Sequence, residues 1–348
     1  VQTEQNTQKI IVIPGDGIGP EVTEEAVLTL QALGAGLEFT FLDRINADRY
    51  LRDGVALTDG ELEEVRTAGT VLFGAVGDPR VTNPDYARGV LLRLRTDLDL
   101  YVNYRPAVLL DERLSPLRDE SRRGIDCVVV RENTEGLYTG VGGSLRTGTP
   151  DEVTVDQETN THLGVSRIVE YAYGIARRSV CMVDKSNAVR FGGQLWQRVW
   201  RETRDRHPEL DSSHLYVDVA AMKLVKDPAS FDVIVTNNSY GDILSDLTAE
   251  LAGGLGTAAS ANINPVTGMG LYEPVHGSAP DIVGKGLANP AGAVLSAALL
   301  LRDRGLKSEA EALERAVRRT VAERRCTPDL GGTLNTRQAG EAIRAALD

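Results

Sequence analysis

Hydrophobic residues along this chain arrive in two alternating rhythms. Short runs in which they cluster or take every second position are followed by longer stretches in which they return every third or fourth residue. Residues 9–14 (KIIVIP) read as a strand. The helix expected over 20–33 has Pro20 in its first turn and Val22, Ala26, Leu30 and Leu33 on one face. Strands are expected over 39–43 and 71–76, with a helix over 59–67 between them. Residues 88–101 predict a helix of mixed face, because Arg88, Leu91, Leu92 and Arg95 fall at i, i+3, i+4 and i+7. Such a face suits either a core edge with snorkelling arginines or a pocket for a partly apolar acid. Further along, 139–156 is Gly- and Thr-rich, then β-branched, and suits an irregular arm or hairpin. A helix over 161–176 precedes a strand over 180–183 that delivers Asp184 and Lys185 to its C-terminal end. The helix over 194–207 buries Leu195, Trp196, Val199 and Trp200, and a short strand over 215–219 carries Asp218 in an apolar setting. From Ala291 the pattern gives a buried helix, an amphipathic one with Leu313, Val317 and Val321, the turn TPDLGG and a last helix to Asp348. Strands alternating with helices throughout place the chain in the α/β class.

One stretch concentrates chemistry. Residues 231–236 alternate Phe231, Val233 and Val235 with Asp232, Ile234 and Thr236, as a buried strand does. Asn237, Asn238, Ser239 and Gly241 then break the run, and Asp242 opens a helix with apolar positions at Ile243, Leu247 and Leu251. Asp242 and Asp246 stand one above the other on that helix and repel by a few tenths of a kcal/mol unless positive charge lies between them. A hard divalent cation is one such charge, since Mg²⁺ is held by one or two carboxylates plus substrate oxygens. Taken alone, the stretch reads first as a helix N-cap at Asp242 followed by a solvated first-turn Asp246, and only the rest of the chain favours the cation.

The loop GDGIGPE, after the first strand, lacks the third glycine of the dinucleotide fingerprint, so an ordinary Rossmann site is excluded. Its glycines serve a tight strand-to-helix turn better than a phosphate cradle. Arg95, Arg105 and Arg131 come from three separate elements; singly each reads as a surface charge, and their convergence requires the fold.

The 348 residues are long for one core and imply two lobes. A 42% hydrophobic and 25% charged composition is that of a soluble globular protein. The net charge of -12 argues against a nucleic-acid surface, although a few arginines in one cleft suffice for an acidic metabolite. Cys127, Cys181 and Cys326 are odd in number and widely spaced, which disfavours a disulfide scaffold or zinc ribbon. Residues 1–8 look disordered and have no apolar signal core, and no apolar run reaches membrane-spanning length. A cytoplasmic location follows as the expectation.

GDGIGPE, RGVLLRLR, NYRPA, VVVRENTEGLY, DKSN, YVD, GDILSD, EPVHGSAPDIVGKGLANP and TPDLGG occur here in one order. Together they resemble the β-decarboxylating dehydrogenases that act on 3-isopropylmalate, homoisocitrate, isocitrate and tartrate or D-malate, over the whole chain from Lys9. The resemblance implies an α/β, isopropylmalate dehydrogenase-like two-domain fold, with a mixed, mostly parallel sheet and flanking helices. It puts residues 1–101 and 253–348 in a cofactor-side domain and 102–252 in a second domain, with the active site in the cleft between them. It implies a homodimer in which an arm at about 139–157 clasps the other subunit. By motif position Arg95, Arg105 and Arg131 look like binders of the malate carboxylates, with Leu91 and Leu92 against the substituent. Tyr138 and Lys185 look like the acid/base pair. Asp242 and Asp246 look like metal ligands of one subunit, with Asp218, also beside the substrate, reaching in from the other. Asn187, Glu273, His276, Gly277, Ser278, Ala279, Asp281 and Asn289 look like the cofactor contacts.

The chemistry agrees from below. Oxidising a 2-hydroxy acid needs a base, a hydride acceptor and positive charge on the developing oxygen, which Mg²⁺ or Mn²⁺ supplies. Arginines hold carboxylates bidentately, as lysines cannot. Asp281 stands where NADP-using relatives carry Lys-Tyr, and a carboxylate there accepts from a ribose hydroxyl and repels a 2′-phosphate, so NAD is expected. Leu91 and Leu92 favour an alkyl substituent, though such a pocket discriminates by only about 1–3 kcal/mol. RGVLLRLR resembles the RG-x-LL-x-LR helix of the isopropylmalate enzymes, and that resemblance makes 3-isopropylmalate the leading substrate. Ala87 stands where many isopropylmalate enzymes have glutamate, which leaves open a larger substituent from secondary metabolism. Tartrate, D-malate or homoisocitrate as substrate, a silent regulatory subunit, and a fold relative that binds without decarboxylating are the competing readings. No nucleic-acid or membrane partner is expected.

Overall fold

The computed structural model describes residues 8–347. The expectation of disorder and of no signal core at the N-terminus falls on 1–7, outside the described residues, and Gln8 already belongs to the first strand. Strands run in chain order as β1 (Gln8–Gly15), β2 (Leu37–Phe41), β3 (Thr70–Ala75), β4 (Val102–Val108), β5 (Asp126–Glu132), β6 (Gly142–Leu145), β7 (Val153–Asp156), β8 (Ser179–Asp184), β9 (Asp211–Tyr216), β10 (Val233–Thr236), β11 (Ala259–Asn264) and β12 (Met269–Pro274). The chain divides into two compact units. Among the described residues, one comprises those up to Leu100, Leu109–Arg118 and those from Ala249; the other comprises Tyr101–Val108 and Asp119–Thr248.

In the first unit the strand order is β2-β1-β3-β12-β11, parallel except for the β11–β12 pair. Ile10, Ile11, Val12 and Ile13 are all fully buried, as a strand covered on both faces requires. Ile11, Ile13, Phe73 and Leu271 form one apolar cluster with Tyr86, Val90 and Leu94, and Leu91 packs against it. The helix expected over 88–101 instead runs from Asp85 to Asp97 and widens into a π turn at Arg88–Leu92. It stops early because Asp99 turns left-handed (φ 48) and the Leu100 N–H folds back to the Arg95 carbonyl at 2.8 Å. Tyr101 lies outside it.

The second unit orders its strands β4-β5-β10-β8-β9, parallel except for β4–β5. β6 and β7 form a separate antiparallel hairpin whose residues are all exposed. Two expectations are corrected here. The strand over 215–219 is the end of β9, and Asp218 lies on the exposed first turn of the helix Val217–Lys226. The helix after β10 begins at Asn238, so Asp242 is not its N-cap. Its buried face is Leu244, Ser245 and Thr248, whereas Ile243, expected inside, is 63% exposed. Sequence reading also missed β11, β12 and the helix Ala47–Asp53, where short elements lie among turn residues. Among the described residues no helix is long and apolar enough to cross a membrane.

A buried ionic cluster closes the helix Asp59–Ala68. Thr58 and Glu61 form a reciprocal capping box, and Glu61 also takes Arg49 Nη1 at 2.5 Å and Arg44 Nε at 2.6 Å. Burial pushes the Glu61 carboxyl up, but bonds from Arg49, the Thr58 N–H and Arg44 overcome this and hold it at about 2 against an ordinary 4.5. A depressed carboxylate contributes stability above its unfolded pKa and loses it as pH falls through the folded one. Glu61→Gln should therefore cost about 3 kcal/mol at pH 7. Urea titrations should show the gap to wild type closing between about pH 4.5 and 2; a gap independent of pH would contradict the assignment.

Candidate active site

Sheet register brings the second unit's arginines together. In the antiparallel β4–β5 pair Asn103 lies opposite Arg131, so Arg131 and Arg105, two residues beyond Asn103, share one face of the sheet. β10 runs parallel to β5 with Thr236 beside Arg131, and the helix Asn238–Leu251 leaves β10 next to that guanidinium. Arg131 Nη1 donates to Asp242 Oδ1 at 2.5 Å and Arg131 Nε to Asn238 Oδ1 at 2.9 Å. Arg105 Nη1 donates to Ser245 Oγ at 2.7 Å and to Asp246 Oδ1 at 3.3 Å, and lies 3.7 Å from Asp242 Oδ1. Two buried guanidiniums thus occupy the positive position that the stacked carboxylates demand. Asp246 is more than half exposed, yet the protein around it pushes its carboxyl up, against Arg105 and with the help of Asp242.

Tyr138 joins this group. Its hydroxyl donates to Asp242 Oδ2 at 3.3 Å, and the Arg131 guanidinium lies 5.7 Å from its ring centre. Burial, then the Asp242 charge, push the phenol up against the pull of Arg131, so it is a proton donor at neutral pH.

Lys185 and Asp218 form a separate pair, Nζ to Oδ1 at 2.5 Å. Parallel β8 and β9 end together, and Lys185 and Asp218 follow those ends. The ammonium holds the exposed Asp218 carboxyl below the ordinary range. Within the chain Asp218 therefore meets Lys185, and among the described residues no three His, Cys, Asp or Glu side chains gather as a metal site.

In the first unit Arg95 is buried and donates Nη2 to Glu273 Oε1 at 2.9 Å, and Asn262 donates to the same oxygen at 2.8 Å. Leu91 and Leu92 are half-buried. Of the expected cofactor contacts, Glu273 is committed to Arg95, while Asn289 donates to Asp329 at 2.8 Å and accepts from the Ala291 N–H at 2.9 Å. His276 carries a buried Nε2 with no partner, and burial lowers its pKa. Gly277 and Asp281 are exposed, and Ala279 is left-handed at φ 41. The Ser278 carbonyl accepts from the Ile18 N–H at 2.9 Å, which ties this loop to GDGIGPE. Asn187 is exposed in the second unit.

The sequence did not reveal Asp16. Its buried carboxylate accepts from the Ala47 N–H (2.7 Å), the Gly77 N–H (2.9 Å) and the Tyr86 hydroxyl (2.6 Å). Gly17 (φ 60) permits this turn, since a Cβ there would strike the Ser278 carbonyl. GDGIGPE is thus a turn built round a carboxylate. Beside it lies a cavity of about 490 Å³ lined by Gly17, Asp78, Arg80, Pro280 and Val283. Asp16→Ala strands three donors and should cost about 3–5 kcal/mol, against about 1 for Tyr86→Phe, as read from urea unfolding; equal costs would remove the hub.

The isocitrate/isopropylmalate dehydrogenase family model matches residues 9–343. The chain is 48% identical to 3-isopropylmalate dehydrogenase of Leifsonia xyli subsp. xyli, covering 97% of this chain and 98% of that protein. It is 46% identical to the enzyme of that name from Corynebacterium efficiens, covering 97% and 99%. Among solved structures, isocitrate dehydrogenase from Methylococcus capsulatus superposes with a TM-score of 0.89 at 35% identity, covering 98% of this chain and 99% of that one. A beta-decarboxylating dehydrogenase from Thermococcus kodakarensis gives 0.79 at 37% identity, covering 97% and 96%.

Proposed function

The chain belongs to the isocitrate/isopropylmalate dehydrogenase family, and from that premise we propose that it oxidises and decarboxylates a 3-substituted malate, foremost 3-isopropylmalate, with NAD and Mg²⁺ or Mn²⁺. The observation that carries this reading is the Arg105–Arg131–Asp242–Asp246–Tyr138 cluster. The residues fit a metal: two carboxylates one turn apart, each within 4 Å of Arg105 Nη1, are the protein share that Mg²⁺ takes when substrate and water complete its shell. When bound, the cation would supply positive charge for the oxygen that turns negative when the hydroxyl loses its proton and again when CO₂ leaves.

Arg105 and Arg131 bind and orient the substrate carboxylates, exchanging a protein carboxylate for the ligand's. Arg95 does the same from its pair with Glu273. Tyr138, protonated at neutral pH, delivers the proton that replaces CO₂ on carbon, and Lys185, as the neutral amine once its ammonium proton has passed to solvent, accepts the hydroxyl proton. Because Lys185 and Asp218 are joined, a chain that lends Asp218 to a second copy's aspartates lends Lys185 with it. A homodimer is the active form on this reading. The β6–β7 hairpin supports it: a two-stranded ribbon with Leu145 67% and Val155 57% exposed needs another surface to cover it.

The NAD assignment rests on the partly exposed loop from His276 through Asp281 and the cavity beside it. When bound, NAD accepts the hydride, and Asp281 disfavours a 2′-phosphate. Leu91, packed on the core, gives the substituent an apolar wall.

NADH formation on 3-isopropylmalate, D-malate, tartrate, isocitrate and homoisocitrate, with NAD or NADP and with or without EDTA, tests the reading. The expected result is highest kcat/KM on 3-isopropylmalate with NAD, abolished by EDTA. A preference for another acid reassigns the substrate, and no turnover on any acid overturns the enzyme reading. Asp242→Asn should lower kcat by about a hundredfold or more with an unchanged circular-dichroism spectrum. Activity at the wild-type level would remove the metal assignment.

A further inference from the structure

We propose that the Asp184–His214 hydrogen bond is a positioning device that sets where the Lys185–Asp218 pair stands, a role that rests on the function proposed for that pair. β8 and β9 are hydrogen-bonded in parallel up to Asp184 beside Tyr216. The chain then leaves the ladder on both sides, toward Lys185 in a turn and toward Asp218 in a helix. Backbone pairing thus ends before either functional side chain is reached. Just inside that end, where Met182 and Asp184 of β8 face His214 and Tyr216 of β9, a side-chain bond reinforces the ladder. His214 Nε2 donates to Asp184 Oδ1 at 2.7 Å and clamps β9 onto β8.

Asp184 is suited to anchor this clamp. It is 4% exposed and accepts from four donors on three elements: His214, Gln197 Nε2 at 2.9 Å, and the Ser186 N–H and Oγ, each at 3.1 Å. The Ser186 bonds shape the turn that carries Lys185, and the Gln197 bond fixes that turn to the helix Arg190–Arg204. On the other side the His214 ring meets Tyr216 edge-on, 5.1 Å between centres at 87°. The Tyr216 ring lies 5.7 Å from Lys185 Nζ. Asp184, His214, Tyr216 and Lys185 therefore close a circuit, with Asp218 attached through its bond to the ammonium. A charge-assisted bond at a strand end holds such a separation more firmly than neutral partners do. Catalytic groups misplaced by about 1 Å can lose a hundredfold in rate.

A merely structural clamp would lower the melting temperature and leave each folded molecule fully active. A positioning clamp lowers kcat and, through Asp218, weakens activation by metal while sparing substrate KM. Steady-state NADH formation with titrated Mn²⁺ should be compared for wild type, His214→Phe, His214→Gln and Lys185→Met. His214→Phe keeps a ring against Tyr216 and loses the donor. Its kcat should fall about tenfold or more, its half-activating Mn²⁺ concentration should rise, and substrate KM should stay within about twofold. His214→Gln, whose amide can donate to Asp184, should recover most of both losses. Wild-type kcat and Mn²⁺ response in His214→Phe, whatever its melting temperature, overturn the inference. Wild-type kcat in Lys185→Met overturns the function assigned to the pair instead. Should His214→Phe not fold, Asp184→Asn carries the same test: reduced kcat and Mn²⁺ response support the clamp, and unchanged values remove it.

Discussion

Two carboxylates one helical turn apart and two guanidiniums on the neighbouring sheet face neutralise each other, and the second unit is built to keep them so. Neither half is stable alone: stacked aspartates repel, and Arg131, only 2% exposed, requires negative partners. Pairing satisfies both without a ligand. It also leaves the cluster able to exchange partners. Under the proposed function, a dicarboxylate arriving with a divalent cation brings two charges of each sign, so carboxylates would move to the arginines and the cation to the aspartates with the total charge unchanged. Binding to such a site replaces ion pairs rather than creating them, which keeps the desolvation cost low on both sides of the exchange.

The strands and helices that surround this cluster were largely legible in the sequence, because a period of two or of 3.6 survives wherever an element has one buried face. The failures share a cause. Asn238 to Gly241 look like a loop by composition, yet they form the first turn of the helix, where Asn238 accepts from Arg131 and Asn237 caps the Tyr240 N–H. Residues that favour turns were serving as side-chain partners at a helix start. Asp218 was misplaced for a related reason: the β-branched run through Val217 and Val219 continues past the point where β9 has lost its neighbour. The helix before Tyr101 ended at a left-handed aspartate, which no periodicity records.

Partner choice was harder to read than element type. The motif order named Arg95 and Glu273 for different ligands, and the fold joins them to each other with Asn262. Asp16, between two glycines, looked like part of a turn and is the acceptor for three donors from 31 to 70 residues away in sequence. A side chain's bonds depend on which distant backbone donors the topology leaves unpaired, and that is settled only when the strands have been ordered.

Asp184 and Asp16 make the same physical point in the two units. Each is a nearly buried carboxylate at the C-terminal end of a strand, where the ladder stops and the chain must turn toward a functional side chain. Donors that meet at a strand end, from the turn itself or from neighbouring elements, lack backbone acceptors, and an aspartate gathers several of them at once. The penalty for removing its charge from water is met only if every donor is in place, so the turn has one arrangement rather than several. Rigidity at these two points is thus a consequence of electrostatics. It is also what the proposed chemistry needs: Lys185 follows Asp184, and the Tyr86 bonded to Asp16 stands at the start of the helix that carries Leu91, Leu92 and Arg95.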